Sequence, residues 1–336
     1  MAFEITLFFD FSYGKIMIEV LKYTEIIEGE KQMFLTGFAD EASSSFDVQL
    51  KATRELRWHF IESRVIDGKN LSSLSEPEFD AVCEKLEAND IRINCFGSPV
   101  ANWKCHPRSD EDFQTSRETL LKAIPRMKKL GIGIIRGMSF LVPDNEKPDS
   151  PELEKIIFDK VRELCKICED NGIIYGHENC MNYGGLSYKH TLKMLEKVNN
   201  PALKLIFDTG NPVFNPRFLG EPPYPMQSAW EFYRNVREHI VYVHIKDGTA
   251  IPQEGKFRPD CDFCFAGDGC GDVRAIVTDL LKTGYDGGFS IEPHIAHVFH
   301  AENEEDKAEY RYRSYIEYGM RFEKLLAECK LNAFGA

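Results

Sequence analysis

The sequence predicts an α/β fold in which eight parallel strands, each followed by a helix, close into one (β/α)8 barrel. From Met33 onward, short runs of β-branched and aromatic residues alternate with longer segments of helical period. The runs number eight, whereas an open doubly wound sheet usually has about six strands and often a glycine-rich phosphate turn. The 336 residues, 43% hydrophobic and 28% charged, suffice for one barrel of about 250 residues or more.

The eight predicted strands share a β-branched or aromatic core and polar or glycine-containing boundaries. In chain order they span residues 34–39, 58–64, 91–96, 132–136, 173–178, 203–208, 240–245 and 288–292. An open sheet with a different strand count is the alternative.

Helix boundaries are readable between these runs. The stretch Ser75-Glu-Pro-Glu78 combines an N-cap, an early proline and a reciprocal glutamate, and Ser150-Pro151 opens a second helix in a similar way. Gly131 and Gly172 follow apolar residues at helical spacing, as expected where a helix ends before a short loop into a strand.

Residues 1–32 do not match the pattern that follows, so we predict an N-terminal extension of unknown role before a barrel domain at 33–336. The ten cysteines are scattered and no secretory signal pattern is visible, which favours a reducing, cytoplasmic location. No apolar run approaches the roughly 20 residues that cross a bilayer, so we expect no membrane partner.

The formal net charge of -13 argues against nucleic-acid binding, because backbone affinity comes from clustered Lys and Arg. We therefore expect a small polar molecule as the partner. A homo-oligomer is compatible with the sequence.

Four consecutive predicted strands end in a side chain that can bind metal: Glu178, Asp208, His244 and Glu292. In a barrel these ends converge on one mouth. Each residue alone is equally typical of a helix cap or a solvated loop, but four charged groups at one mouth need a cation to offset their repulsion. Three carboxylates and one imidazole favour one Mn²⁺ or Mg²⁺ ion, with Zn²⁺ or Co²⁺ compatible but less favoured by ligand softness.

Lys246 and His294 are candidate substrate-binding residues because each follows a predicted ligand by two positions. The alternative for Lys246 is a salt bridge to Asp247 or Glu292.

Glu62, Arg64 and Arg136 lie at the ends of the second and fourth predicted strands. They are candidates for binding substrate hydroxyls or a carboxylate. A charged layer that seals the barrel mouth is the alternative.

Two cysteine pairs, Cys165-x-x-Cys168 and Cys261-x-x-Cys264, have the spacing of half zinc sites. The first pair is better explained as small core residues of an amphipathic helix. The second pair, with Cys270 nearby, lies in a long loop at 248–271. Its spacing can be accidental, and the functional alternative is a second metal site or a redox-sensitive lid.

Five motifs in this order resemble the xylose isomerase-like barrel superfamily, which includes sugar-phosphate isomerases and epimerases. They are His177-Glu178-Asn179, Phe207-Asp-Thr-Gly-Asn211, Val243-His-Ile-Lys-Asp247, Gly267-Asp-Gly-Cys-Gly-Asp272 and Ile291-Glu-Pro-His294. The resemblance implies that Glu178 and Glu292 are both metal ligands and the catalytic acid and base. The sequence departs from many relatives at Asn211, where they carry a histidine that helps to bind substrate or a further metal, and we expect Asn211 to contact substrate.

The resulting hypothesis is a metal-dependent isomerase or epimerase of a small sugar or sugar derivative, which works by proton transfer through an enediolate. A dehydratase of the inosose or dehydroshikimate type is the first alternative, since it also begins with proton removal beside a carbonyl. An apurinic-site endonuclease is disfavoured by Asn211, by Cys261-Asp-Phe-Cys264 and by the acidic charge. A non-catalytic sugar-binding protein is disfavoured because all four expected ligands are present.

Overall fold

The computed structural model describes residues 33–143, 146–253, 259–298 and 304–335. The predicted extension at 1–32 lies outside the described residues. The strands are β1 (Phe34–Gly37), β2 (Phe60–Ser63), β3 (Arg92–Val100), β4 (Ile134–Gly137), β5 (Ile174–Glu178), β6 (Leu203–Asp208), β7 (Ile240–Ile245), β8 (Asp247–Ile251), β9 (Asp260–Cys264) and β10 (Gly288–Ile291).

Helices lie between the strands and after the last one. They are α1 (Phe46–Glu55), α2 (Glu76–Asn89), α3 (Asp110–Leu130), α4 (Pro151–Glu169), α5 (Tyr188–Val198), α6 (Ala229–Val236), α7 (Val273–Lys282) and α8 (Glu304–Phe334). Within the described residues, no helix is long and apolar enough to cross a membrane.

The main sheet contains eight strands in the order β1-β10-β7-β6-β5-β4-β3-β2, and every neighbouring pair is parallel. A further parallel bridge joins Phe38, just after β1, to Glu62 in β2. The two edges of the sheet therefore meet, and the fold is a nearly closed (β/α)8 barrel. The predicted fold class is confirmed.

Each predicted run overlaps one barrel strand. The bounds of β6 and β7 are those predicted, while β3 continues to Val100, past the predicted end at Phe96. The antiparallel hairpin of β8 and β9 is not among the predicted strands, and it occupies the segment assigned to a loop.

The helix boundaries follow the predicted signals. The backbone N–H of Ser75 donates to Glu78 Oε2 at 2.7 Å, which completes the reciprocal cap of α2. Pro151 is the first residue of α4. Gly131 ends α3 with φ of 70°, a left-handed conformation that glycine adopts at little cost.

Neighbouring strands of the barrel pack closely at the end of β4. A Cβ atom added to Gly137 at the end of β4 would lie 2.1 Å from the ring of Tyr175 on β5. The Tyr175 hydroxyl donates to Met138 O at 2.7 Å, so moving the ring aside would cost this hydrogen bond. Only glycine fits at position 137 without displacing this ring.

Inside the barrel, alternate residues of each strand face the axis. On β7, the ring of Tyr242 lies 5.8 Å from the ring of His244, one inward position higher. His244 also contacts Glu62 on β2, although β10 and β1 separate the two strands in the sheet. The side chains that end the strands are therefore gathered around one axis at the mouth.

Candidate metal centre and active site

The four residues predicted as metal ligands lie together at the carboxyl ends of their strands. Glu178 ends β5, Asp208 ends β6, His244 lies near the end of β7, and Glu292 follows β10. All four are at most 3% exposed. One nitrogen or oxygen atom from each lies within 4.8 Å of the others, which is the spacing of a shared cation site.

The unbonded atoms of this group fit a metal ion. Asp208 uses Oδ1 to accept the backbone N–H groups of Gly210 and Asn211 at 2.8 and 2.7 Å, and its Oδ2 accepts no hydrogen bond. Glu178 Oε2 and His244 Nδ1 are also buried without a hydrogen bond. Buried polar atoms nearly always accept or donate a hydrogen bond. These three do not, although cationic side chains lie near two of them, and two oxygens with one imidazole nitrogen form a donor set that fits a divalent cation.

Lys246 lies inside this cluster and is 3% exposed. Its Nζ is 2.8 Å from Glu292 Oε2 and 2.9 Å from Asp208 Oδ2, the second being an ionic contact whose geometry is not that of a hydrogen bond. One of the two predicted salt-bridge partners, Glu292, is therefore present, and Asp247 is replaced by Asp208. The ammonium group supplies positive charge to two of the four candidate ligands.

The two carboxylates on β5 and β6 have opposite pKa shifts. Burial raises the pKa of Asp208 to about 6, with Lys246 as the main opposing charge. Burial also acts to raise the pKa of Glu178, but the positive charges of Arg136 and His244 outweigh it and lower the pKa to about 2. Glu178 is thus ionised at neutral pH.

Two arginines, the buried Arg136 and the half-buried Arg64, accompany the two carboxylates with predicted catalytic roles. Arg136 Nη1 lies 3.4 Å from Glu178 Oε2, and Arg64 Nη1 donates to Glu292 Oε1 at 3.0 Å. Both guanidinium groups lie over the ring of Phe38, at 5.2 and 4.5 Å from its centroid. Both arginines thus contact carboxylates of the cluster, as the charged-layer alternative expects, and their binding of substrate stays a prediction.

Glu62 lies on the other side of His244 from the cluster. Its side chain is fully buried, and its carboxylate oxygens lie 3.1 and 3.2 Å from His244 Nε2. Burial acts to lower the pKa of His244, but Glu62 and Glu178 together raise it to about 10. Glu62 is thus placed to contact the imidazole, and not at an exposed surface of the mouth.

Asn211 begins the turn after β6 and contacts two of the candidate ligands. Its Nδ2 donates to Glu178 Oε1 at 3.1 Å, and its backbone N–H is one of the two that bind Asp208. The amide therefore orients the carboxylates, and the structure brings it to the site as predicted from its position.

Comparison with known proteins places this geometry in a family. A profile described as xylose isomerase-like TIM barrel matches residues 50–315, which is most of the chain. The chain belongs to the xylose isomerase-like TIM barrel family. The resemblance indicated by the sequence motifs is thereby confirmed.

Individual relatives of this xylose isomerase-like barrel are distant. The chain is 23% identical over 251 residues to inosose dehydratase from Clostridium beijerinckii, covering 69% of this chain and 80% of that protein. A xylose isomerase-like TIM barrel protein from Mycobacterium smegmatis, solved in complex with magnesium, has a TM-score of 0.57 and 20% identity, covering 83% of this chain and 88% of that chain. D-allulose 3-epimerase from Methylomonas sp., solved with D-allulose, has a TM-score of 0.60 and 17% identity, covering 88% and 97%.

A second group at the mouth of this xylose isomerase-like barrel was only half predicted. His294 donates its backbone N–H to Glu41 Oε2, and its Nδ1 lies 2.7 Å from Glu41 Oε1, so the ring is fixed by one carboxylate. His294 Nε2 is 3.6 Å from Glu292 Oε1. Glu41 was missed because it lies in a short 3-10 turn, Ala39–Glu41, although its position just after β1 is the available signal.

The hairpin of β8 and β9 forms one wall of the mouth. The ring of Phe263 packs edge-on against His294 at 5.0 Å and against Phe214 at 5.6 Å between centroids. Asp247 anchors the returning chain, because its carboxylate accepts the backbone N–H groups of Gly248, Gly267, Gly269 and Gly271 at 2.8 to 3.1 Å. A Cβ atom on Gly269 would lie 2.3 Å from Asp247 Oδ1, which explains a glycine there.

The cysteine pairs lie in different environments. Cys165 and Cys168 are fully buried on the core side of α4, as expected for small apolar residues. Cys261 and Cys264 are partly buried on β9. Within the described ranges, the two side-chain groups that could hold a metal contain no cysteine.

Proposed function

We propose that this chain is a divalent-metal-dependent enzyme that interconverts small sugars or sugar derivatives by moving a proton beside a carbonyl group. The observation that carries the proposal is the pairing of two buried carboxylates, Glu178 and Glu292, with one oxygen or nitrogen from Asp208 and His244 in a group spanning less than 4.8 Å. These four residues would hold the cation. When bound, it would act as a Lewis acid that stabilises charge developing on the substrate oxygen.

The two glutamates supply the proton transfer. Arg136 keeps Glu178 ionised, and Lys246, His294 and Arg64 hold the pKa of Glu292 well below its ordinary value despite burial. Each carboxylate is therefore ionised, as a base toward a C–H group beside a carbonyl must be, and general acid–base catalysis of this kind contributes about 10²- to 10⁴-fold to the rate.

The fate of the proton decides the product. Its return to the same carbon from the opposite face would give an epimer, and its return to the neighbouring carbon would give an isomer. D-allulose 3-epimerase, a structural relative of the same fold, supports the epimerase form of the proposal.

A dehydratase is the second candidate. One relative, at 23% identity, is an inosose dehydratase. In addition, Lys246 places an ammonium group 2.8 Å from Glu292. There it could hydrogen-bond a hydroxyl group, which leaves as water when the proton taken from carbon by a glutamate is passed to its oxygen. The first step is the same in both candidates, and loss of water distinguishes them.

The test is proton exchange measured by NMR in D2O with the full chain, loaded with Mn²⁺ or Mg²⁺ and then cleared of paramagnetic ion before the spectra are taken. Ketoses, ketose phosphates and inososes are screened as substrates. Deuterium beside the carbonyl of a new sugar supports the isomerase or epimerase, and deuterium with loss of water moves the chain to the dehydratases. Interconversion without solvent deuterium would overturn the proton-transfer mechanism.

Variants locate the chemistry. Glu178→Gln and Glu292→Gln should each lower turnover by about 10²- to 10⁴-fold, because each loses a proton-transfer group. Glu154→Gln is the matched control, since Glu154 is a buried glutamate of α4 that accepts a hydrogen bond from Tyr183 at 2.7 Å, outside the mouth. Near-parental turnover in either of the first two variants, folded and metal-loaded, contradicts the assignment.

A further inference from the structure

Glu62 is a carboxylate inside the barrel that none of the steps above uses. It lies on β2, and its residue is fully buried. One of its oxygens accepts the Ser290 hydroxyl at 2.7 Å. In the described residues, its ion-pair partner is His244 alone. Because burying a carboxylate costs several kcal/mol unless it is well partnered, this contact with His244 is a specific feature of the site.

The imidazole of His244 separates two environments. Nε2 faces Glu62, at 3.1 Å from Oε2 and 3.2 Å from Oε1. Nδ1 faces the three carboxylates of the metal cluster, at 3.4, 3.9 and 4.0 Å from oxygens of Glu178, Asp208 and Glu292. The two ring nitrogens therefore serve different partners.

An ionised carboxylate only accepts hydrogen bonds. The nitrogen that faces Glu62 must therefore carry a hydrogen, and in the neutral imidazole Nδ1 is left with its lone pair directed at the cluster. A carboxylate that binds the outer N–H of a metal-binding histidine fixes its tautomer and raises its basicity.

The surroundings hold this pair in place. Ser290 is the residue of β10 aligned with His244 in the sheet, so its hydroxyl fixes Glu62 directly beside the imidazole. The ring of His244 also packs against Phe38 at 5.0 Å and Tyr242 at 5.8 Å between centroids, in both cases edge-on. The imidazole can neither flip nor tilt without breaking these contacts.

We propose that Glu62 is a positioning residue that holds the Nε2–H of His244 and so presents Nδ1 as the metal-binding nitrogen. This inference rests on the proposed metal site. It replaces the predicted contact between Glu62 and substrate, because a fully buried side chain behind His244 is closed to a ligand in the mouth.

The first measurement needs no variant. In the Mg²⁺-loaded full chain with ¹⁵N-labelled histidine, long-range ¹H–¹⁵N NMR should show His244 with its hydrogen on Nε2. A hydrogen on Nδ1 would overturn the proposal, because Nε2 would then be the free nitrogen. Assignment follows from loss of the signal in His244→Gln.

The second measurement is Mg²⁺ and Mn²⁺ affinity by calorimetry without substrate. Glu62→Leu removes the acceptor and should weaken binding by about 10- to 100-fold, the usual effect of losing such a partner. Glu62→Gln keeps a neutral acceptor of the same shape and should recover most of the affinity. Glu154 is a buried glutamate outside the mouth, so the control variant Glu154→Leu should bind metal as the parent does.

The outcomes separate this inference from the proposed function. Metal binding by the parent with affinity unchanged within twofold in Glu62→Leu rejects the role of Glu62 and leaves the metal site standing. If Glu62→Leu fails to fold, Glu62→Gln is compared with a folded Glu62→Ala variant. Metal binding by Glu62→Gln that is no tighter than that of Glu62→Ala then rejects the role of Glu62. Absence of metal binding by the parent rejects the proposed function, and with it this inference.

Discussion

Replacing Lys246 with methionine tests whether an internal ammonium and an external cation share the same oxygens. Lys246 Nζ lies 2.9 Å from Asp208 Oδ2 and 2.8 Å from Glu292 Oε2, and the residue is 3% exposed. Methionine fills a similar volume without the charge. Removing one partner of a buried ion pair costs about 3–5 kcal/mol, so Lys246→Met should lose about that much free energy of unfolding when metal is absent.

A bound divalent cation would return positive charge to the same two oxygens. With excess Mn²⁺ the loss caused by Lys246→Met should therefore shrink to less than about 2 kcal/mol, because the pair of carboxylates is again neutralised. Thermodynamic linkage requires the restored part to appear as tighter metal binding, about tenfold for each 1.4 kcal/mol. Urea unfolding in EDTA and in Mn²⁺, with calorimetric metal affinity, measures both sides of this cycle.

The control is Lys193→Met, which breaks an ion pair with Glu154 away from the mouth. Its effect on unfolding should be the same in EDTA and in Mn²⁺. If Lys246→Met behaves like this control, with an equal loss in both conditions and unchanged metal affinity, then Lys246 and the metal do not share oxygens and the reasoning is refuted.

Three further predictions follow from the same structure. The pKa of His244 is raised to about 10, so in metal-free protein its protonation stabilises the fold fully below about pH 6.5, and this stabilisation is lost as pH rises through about 10. Metal binding needs the neutral ring, so the metal affinity measured by calorimetry should rise with pH. A metal affinity that does not change with pH would contradict this. Asp247→Asn should cost about 2–4 kcal/mol in urea unfolding and speed hydrogen exchange at Gly267–Gly271, because an amide has one accepting oxygen for four N–H groups; unchanged exchange there would argue against the anchor. Gly137→Ala should lower Tm, with a cost of at least about 1–3 kcal/mol from overpacking on Tyr175, and an unchanged Tm would show that the ring can move.

The barrel strands could be predicted because buried strands consist mainly of apolar residues. Runs such as Leu203–Asp208 and Ile240–Ile245 are apolar on both faces, since one face meets the helices and the other the barrel axis. The hairpin strands Asp247–Ile251 and Asp260–Cys264 lack such runs, and much of each is exposed or half-buried. The two strands are held by backbone hydrogen bonds and by the carboxylate of Asp247. Neither requires a periodic pattern of apolar residues, so the sequence pattern did not predict these strands.

The location of a site residue could be predicted where a structural rule relates its position in the sequence to its place in the fold. Strand ends meet at the mouth, so the sequence could predict that the ionisable side chains at the ends of β5, β6, β7 and β10 lie together. The height of a side chain along the barrel axis could not be predicted in this way. The alternation of side chains along β2 shows that Glu62 faces the inside of the barrel, but it does not show whether Glu62 lies at the level of His244. Glu41 shows the other limit, since its meeting with His294 joins turns 253 positions apart.

The anchor made by Asp247 reads only main-chain N–H groups, which every residue except proline carries. The described part of the hairpin is held to the barrel by this anchor and by the ring of Phe263, which packs against His294 and Phe214. Replacing an exposed hairpin side chain such as Ile251, which is 43% exposed, therefore leaves the four hydrogen bonds of Asp247 in place.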